Sequence, residues 1–127
     1  MTPDRCVLII DDSAVIRQIA KLTLGSRGWR ILTAETGPQG IAMAASERPD
    51  AILLDVIMPH PDGPETLSRL RSDAQTARIP VIFLTGLADS EKERAKLSAL
   101  GADGVLAKPF DPDTLTDLVA ETLRWPE

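Results

Sequence analysis

Three carboxylates, a hydroxyl and an ammonium stand far apart in the chain, each at the end of a short apolar run. Asp11 and Asp12 follow Cys6-Val7-Leu8-Ile9-Ile10, and Asp55 follows Ala51-Ile52-Leu53-Leu54. Thr85 closes Val81-Ile82-Phe83-Leu84, and Lys108 follows Gly104-Val105-Leu106-Ala107. Carboxylates brought together repel one another, so either their pKa values rise or a cation joins them. Hard oxygen ligands suit Mg²⁺, which keeps waters and shares its shell with phosphate oxygens. A hydroxyl and an ammonium opposite them suit a phosphoryl group. Each residue also has a plainer reading. Asp12 or Ser13 can cap a helix, and Lys108 can be a solvated lysine. His60, in a Pro-rich loop, reads as a solvated side chain rather than a ligand. The set persuades where no member does.

These residues can meet only if the runs that carry them lie side by side. Short continuous apolar runs read as strands buried on both faces, as in a parallel sheet. Arg30-Ile31-Leu32-Thr33-Ala34 supplies a further, less apolar strand. Between the strands lie helical patterns. The first carries Val15, Ile16, Ile19, Ala20 and Leu24 and closes near Gly28; the second runs from about Pro38 to Glu47 with Ile41, Ala44 and Ala45 inward. The third starts near Pro64 with Leu67 and Leu70 inward. A fourth begins around Asp89-Ser90, where Ser90 and Glu93 have capping-box spacing, and stops at Gly101. The last starts at Asp111-Pro112 and carries Leu115, Leu118, Val119, Thr122 and Leu123 on one face. Five strands alternating with five helices predict a single three-layer (βα)5 domain of flavodoxin-like type. The most apolar strands, one, three and four, belong at the centre, which gives the order 2-1-3-4-5 with right-handed crossovers. The crevice between strands one and three then receives Asp11, Asp12 and Asp55.

The 127 residues are 43% hydrophobic and 26% charged, the composition of one folded domain. A net charge of −5 with no basic stripe argues against direct nucleic-acid binding. No apolar run is long enough to span a membrane and the N-terminus carries no secretion pattern, so a cytoplasmic location is expected. The single cysteine, Cys6, reads as a small hydrophobe and allows no internal disulfide. Trp29 and Trp125, beside helix ends, read as covers for the core edges.

The chain resembles a response-regulator receiver domain of the stand-alone, chemotaxis-regulator type used in two-component phosphorelay signalling. The resemblance spans residues 1–127, and no output domain is expected after helix five. It rests on Ile10-Asp11-Asp12-Ser13 with Arg17, on Asp55-x-x-Met58-Pro59 with Asp62-Gly63, on Thr85, on Gly101-Ala102 and on Lys108-Pro109-Phe110. It implies that Asp55 is the phosphoacceptor. Asp12, Asp55 and the backbone carbonyl of Ile57 would ligate Mg²⁺, with Asp11 acting through water. Lys108 would pair with phosphoryl oxygens, Thr85 would donate its hydroxyl to them, and the bond before Pro109 would be cis. The implied donor is a phosphohistidine on a sensor kinase or a histidine phosphotransfer protein. The signal would leave through an unknown downstream protein or by onward transfer, from a monomer that catalyses only its own phosphorylation and dephosphorylation.

One departure and one pair of flanking residues carry consequences. The family usually places an aromatic residue or His three positions before the lysine, where this chain has Val105, so the relay through helices four and five is in doubt. In receivers the residues two beyond the phosphoacceptor and two beyond the threonine flank the path of the hydrolytic water. Here they are Ile57 and Leu87, both apolar, which implies a phosphoryl group long-lived for the family unless a partner supplies a phosphatase residue. Other readings fit less well. A haloacid-dehalogenase-type phosphatase needs an Asp where Ile57 stands, and a flavodoxin's phosphate loop would not tolerate Asp11-Asp12. A receiver fold used only for binding would be expected to lack one of the acids, the threonine or the lysine.

Overall fold

The structure, a computed structural model, describes residues 5–86, 91–108 and 112–125. Strands and helices alternate as β1 (Cys6–Ile10), α1 (Ala14–Gly25), β2 (Arg30–Ala34), α2 (Gly37–Glu47), β3 (Ala51–Asp55), α3 (Gly63–Ser72), β4 (Val81–Thr85), α4 (Glu91–Ala99), β5 (Gly104–Ala107) and α5 (Pro112–Thr122). All strand pairs are parallel, in the order β2-β1-β3-β4-β5. The apolar ranking of the strands therefore places them correctly. β3 and β4 are buried throughout, whereas β2 is exposed or half-buried until Ala34.

Side chains alternate across a strand, so each face of the sheet collects every second residue. One face gathers Leu8, Ile10, Ile52, Leu54, Val81 and Phe83 against Ala44 of α2, Leu67 and Leu70 of α3 and Leu97 of α4. The other gathers Val7, Ile9, Leu53, Ile82 and Leu84 against Ala20 and Leu24 of α1 and Leu115 and Val119 of α5. The three layers follow from this division. Trp29 and Trp125 pack edge to face with centroids 5.3 Å apart, at the margin of the second cluster. They cover a core edge, as expected.

Several local expectations are corrected. Val15 is not on the inner stripe of α1, being 66% exposed. At roughly 100° per residue it lies half a turn from Leu24. Leu118 is 39% exposed, on the flank of the stripe made by Leu115 and Val119. Helix α1 ends at Gly25; Gly28, with φ +84°, belongs to the turn that follows. Helix α2 is closed by Arg48 in the left-handed conformation, its N–H bonded to the carbonyl of Ala44. Cys6 is half-buried rather than fully inside. The expected start of α4 at Asp89-Ser90, the start of α5 at Asp111, Leu87 and the cis bond before Pro109 lie outside the described residues.

Candidate functional site

Because every strand runs the same way, the carboxyl ends of β1, β3, β4 and β5 share one edge of the sheet. Asp11 is the first residue past β1 and is fully buried. Its N–H continues the ladder onto the carbonyl of Ala34, at 3.1 Å. The chain then leaves the sheet in a short turn. Asp11 Oδ1 accepts the N–H of Ser13 at 2.9 Å, and Ser13 Oγ caps α1 by accepting the N–H of Ile16 at 3.3 Å. Ser13, not Asp12, is the cap. Asp12, between them, is exposed and remains available to a ligand.

Asp55, the last residue of β3, is nearly buried, and its Oδ1 lies 3.1 Å from Lys108 Nζ. The same ammonium lies 2.8 Å from Asp11 Oδ2. Burial pushes the Asp55 carboxyl up to about 6; the Lys108 hydrogen bond opposes this, the Asp11 charge adds to it, and the Ile57 N–H at 3.4 Å opposes it weakly. Burial alone would lower the pKa of Lys108, but its bonds to Asp11 and Asp55 outweigh that and hold it above its ordinary value. One lysine therefore serves two carboxylates.

The loop after β3 is held tightly behind Asp55. Gly63 donates its N–H to the carbonyl of Val56 at 2.9 Å. A Cβ on Gly63 would stand 2.4 Å from the Asp55 carbonyl oxygen and 2.7 Å from the Val56 Cα, so a side chain there would displace the Asp55 peptide. Asp62 caps α3 by accepting the N–H of Glu65 at 3.0 Å. Ile57 stands 67% exposed beside the site. His60 is also exposed and lies 3.4 Å from Glu65, as a solvated loop residue would. Thr85 is buried at the end of β4, level with Ala107, and its carbonyl accepts the N–H of Lys108 at 2.9 Å.

Carboxylate oxygens of Asp11, Asp12 and Asp55 all lie within 4.8 Å of one another, two of the residues buried and one exposed. The donor set is entirely oxygen, and the three carboxylates have beside them one ammonium, that of Lys108, which contacts two of them. Both features fit a small hard dication such as Mg²⁺. A cleft of about 350 Å³ opens beside Asp12, between Glu35, Thr36 and Pro38 on one side and Met58, Pro59 and His60 on the other. That cleft left no signal in the sequence, because its walls come from three separate loops. Neither did the bond from Arg17 Nη1 to the carbonyl of Asp11, at 2.7 Å. Asp-to-Arg spacing across a turn looks the same whether the side chain reaches back or not.

Comparison with known proteins gives a consistent picture. A family model described as "Response regulator receiver domain" matches residues 7–120. Protein PilH of Pseudomonas aeruginosa is 38% identical over 119 residues, covering 92% of this chain and 96% of PilH. The DNA-binding dual master transcriptional regulator RpaA of Synechocystis is 37% identical, but this chain spans only 48% of its length. Among solved structures, chemotaxis protein CheY4 of Vibrio cholerae superposes with a TM-score of 0.87 at 35% identity, covering 94% of this chain and 99% of CheY4. No helix among the described residues is long and apolar enough to cross a membrane.

Proposed function

The chain belongs to the response regulator receiver family, and from that premise we propose that Asp55 is the residue that takes the phosphoryl group. The observation that carries this is the position of Asp55: a near-buried carboxylate at a strand end, against Lys108 and beside Asp11 and Asp12. In the proposed step an Asp55 carboxylate oxygen attacks phosphorus, an acyl phosphate forms, and the P–N bond to a donor imidazole breaks. The electron pair of that bond returns to the imidazole nitrogen, which leaves with its protein. Lys108 pairs with a phosphoryl oxygen, and the Thr85 hydroxyl donates to another.

Asp12, Asp55 and the Ile57 carbonyl are the proposed direct ligands of Mg²⁺, with Asp11 acting through water. When bound, that ion neutralises charge shared between the carboxylates and the phosphoryl oxygens. Lys108 holds Asp11 and Asp55 in place before the donor arrives, which is the positional part of the catalysis. The donor class is a phosphohistidine on a sensor kinase or phosphotransfer protein, in the cytoplasm, and the output is a changed protein contact or onward transfer.

The test uses acetyl phosphate as a small donor. With Mg²⁺ the protein is expected to gain one phosphoryl group at Asp55, seen by mass and lost on mild alkali. Asp55→Asn and EDTA should each prevent it. Persistent labelling of Asp55→Asn would place the nucleophile elsewhere and overturn the assignment.

A further inference from the structure

We propose that Arg17 is the positioning residue of the cation site, holding the Asp11–Asp12 turn in the shape that lets Asp12 take a divalent ion. The inference rests on reading Asp11, Asp12 and Asp55 as that site.

Asp11 sits where the chain leaves the sheet. Ile10 is the last residue of β1 paired on both sides, with Ala34 and with Leu54. The Asp11 N–H still reaches Ala34, but its carbonyl accepts from a side chain, the half-buried guanidinium of Arg17, at 2.7 Å. That is a short, charge-assisted bond. Arg17 also donates its own N–H to the carbonyl of Ser13, at 3.1 Å. The last is the ordinary helical bond that any residue there would make. The guanidinium is what holds the peptide before Asp12, and the Ser13 N–H on Asp11 Oδ1 holds the peptide after it.

Arg17 has no acidic residue on α1 to pair with. Helix N-termini favour acidic residues, and the first turn of α1 has none. A cation one turn in gains nothing from the helix dipole, which fades within that turn. Here it is used on the turn that precedes the helix. Asp12 needs that support, because no side chain among the described residues bonds its carboxylate. The backbone therefore sets where its side chain starts, and groups behind a ligand that fix its placement govern affinity.

Position and charge make opposite demands, which gives the test its edge. A guanidinium close to the site repels a dication, so deleting it for charge alone would tighten Mg²⁺ binding. Deleting it as a positioning group would loosen binding. The experiment is a titration of the full chain with Mg²⁺, followed by the backbone amide shifts of Asp11, Asp12 and Ser13, well below the melting temperature. Arg17→Met is expected to weaken Mg²⁺ binding roughly tenfold, the lower end of what such supporting groups contribute. Arg17→Lys, which can still donate to the Asp11 carbonyl, is expected to restore most of the affinity. A purely structural role would lower the melting temperature and leave the dissociation constant of the folded protein unmoved. Unchanged or tighter binding in Arg17→Met overturns the proposal. Should that variant not fold, Arg17→Gln, shorter and uncharged, takes its place with the same expectation and the same overturning result. Asp12→Asn is the control: if it titrates like wild type, the cation reading itself has failed, whatever Arg17 does.

Discussion

The two ends of the sheet handle charge in opposite ways. At the amino-terminal edge, charged side chains end on backbone groups that the strands leave open. Asp50 Oδ2 accepts the N–H of Cys6 at 2.8 Å, and Asp103 Oδ2 accepts that of Val81 at 2.8 Å. Arg71, at the end of α3, donates to the carbonyls of Ala77, Ile79 and Gly101 and to the Asp103 carboxylate, at 2.7 to 3.2 Å. Arg5 lies 4.6 Å over the Trp125 ring. At the carboxyl edge, three carboxylates gather instead, two of them against Lys108. The same parallel topology supplies both edges. One closes the fold, while the other holds negative charge that burial makes unfavourable, which is the charge the proposed cation and phosphoryl chemistry would use.

The largest expected effect comes from breaking the closed edge. Arg71→Ala would leave Asp103 and three carbonyls short of a donor, a loss of about 3 kcal/mol for a part-buried charged network. Urea unfolding should show it. The rate at which folded protein takes phosphate from acetyl phosphate should stay unchanged. A large loss of that rate would mean the two edges are not independent.

A smaller effect, with the same logic reversed, lies in the pH dependence of the open edge. Without Mg²⁺, the Asp55 carboxyl titrates near 6 in the folded protein, above its ordinary 3.8. Folded protein therefore keeps a proton that unfolded protein has lost between those values. The resulting stability is full below the lower value and disappears as pH rises through the upper one. After allowance for partial screening it amounts to about 1–2 kcal/mol. In EDTA, the difference in urea stability between wild type and Asp55→Asn should shift in favour of the variant from pH 4 to pH 7. A difference that is flat with pH would show that Lys108 fully compensates Asp55.

Smaller again is the effect of removing an exposed charge at the same edge. Asp12→Ala should stabilise metal-free protein by about 0.5 kcal/mol and abolish most of the rise in melting temperature that millimolar Mg²⁺ produces. Deleting a charge would then stabilise one edge and destabilise the other. If Asp12→Ala retains the wild-type Mg²⁺ response, Asp12 is not a ligand.

The open edge was far more legible in the sequence than the closed one. Burial on both faces writes itself into composition, so β1, β3 and β4 stood out, and the residues that end them could be placed together. Lys108 followed from the same rule at β5. Arg71 left no comparable mark, since an arginine in the last turn of a helix looks alike whether solvated or reaching into two other loops. Arg17 could be quoted as part of a family pattern but given no role. Val15 and Leu118 were misplaced for a different reason. Three- and four-residue spacing includes the flanks of an apolar stripe, and only the packed helix decides which flank is covered.

The smallest expected effect concerns how far a change at the open edge travels. Val105 is buried on β5 beside Phe83 and Leu97, at the position where the family usually carries a ring. Among the described residues of α4, only Leu97 is buried. A ring at position 105 could swing between inner and outer positions when Thr85 moves; a β-branched valine has one preferred rotamer and no reach. Beryllofluoride, a mimic of the phosphoryl group, should therefore shift the amides of Val56, Ile57, Thr85 and Gly86 strongly and those of α5 weakly. Val81 and Asp103, tied to Arg71 at the far edge, should hardly move. Substituting Val105→Tyr should enlarge the response on α5 and leave Val81 and Asp103 as they were. If those two amides move as much as Thr85 in the wild-type protein, the Arg71 network takes part in switching, and the division between a closing edge and a reacting edge no longer holds.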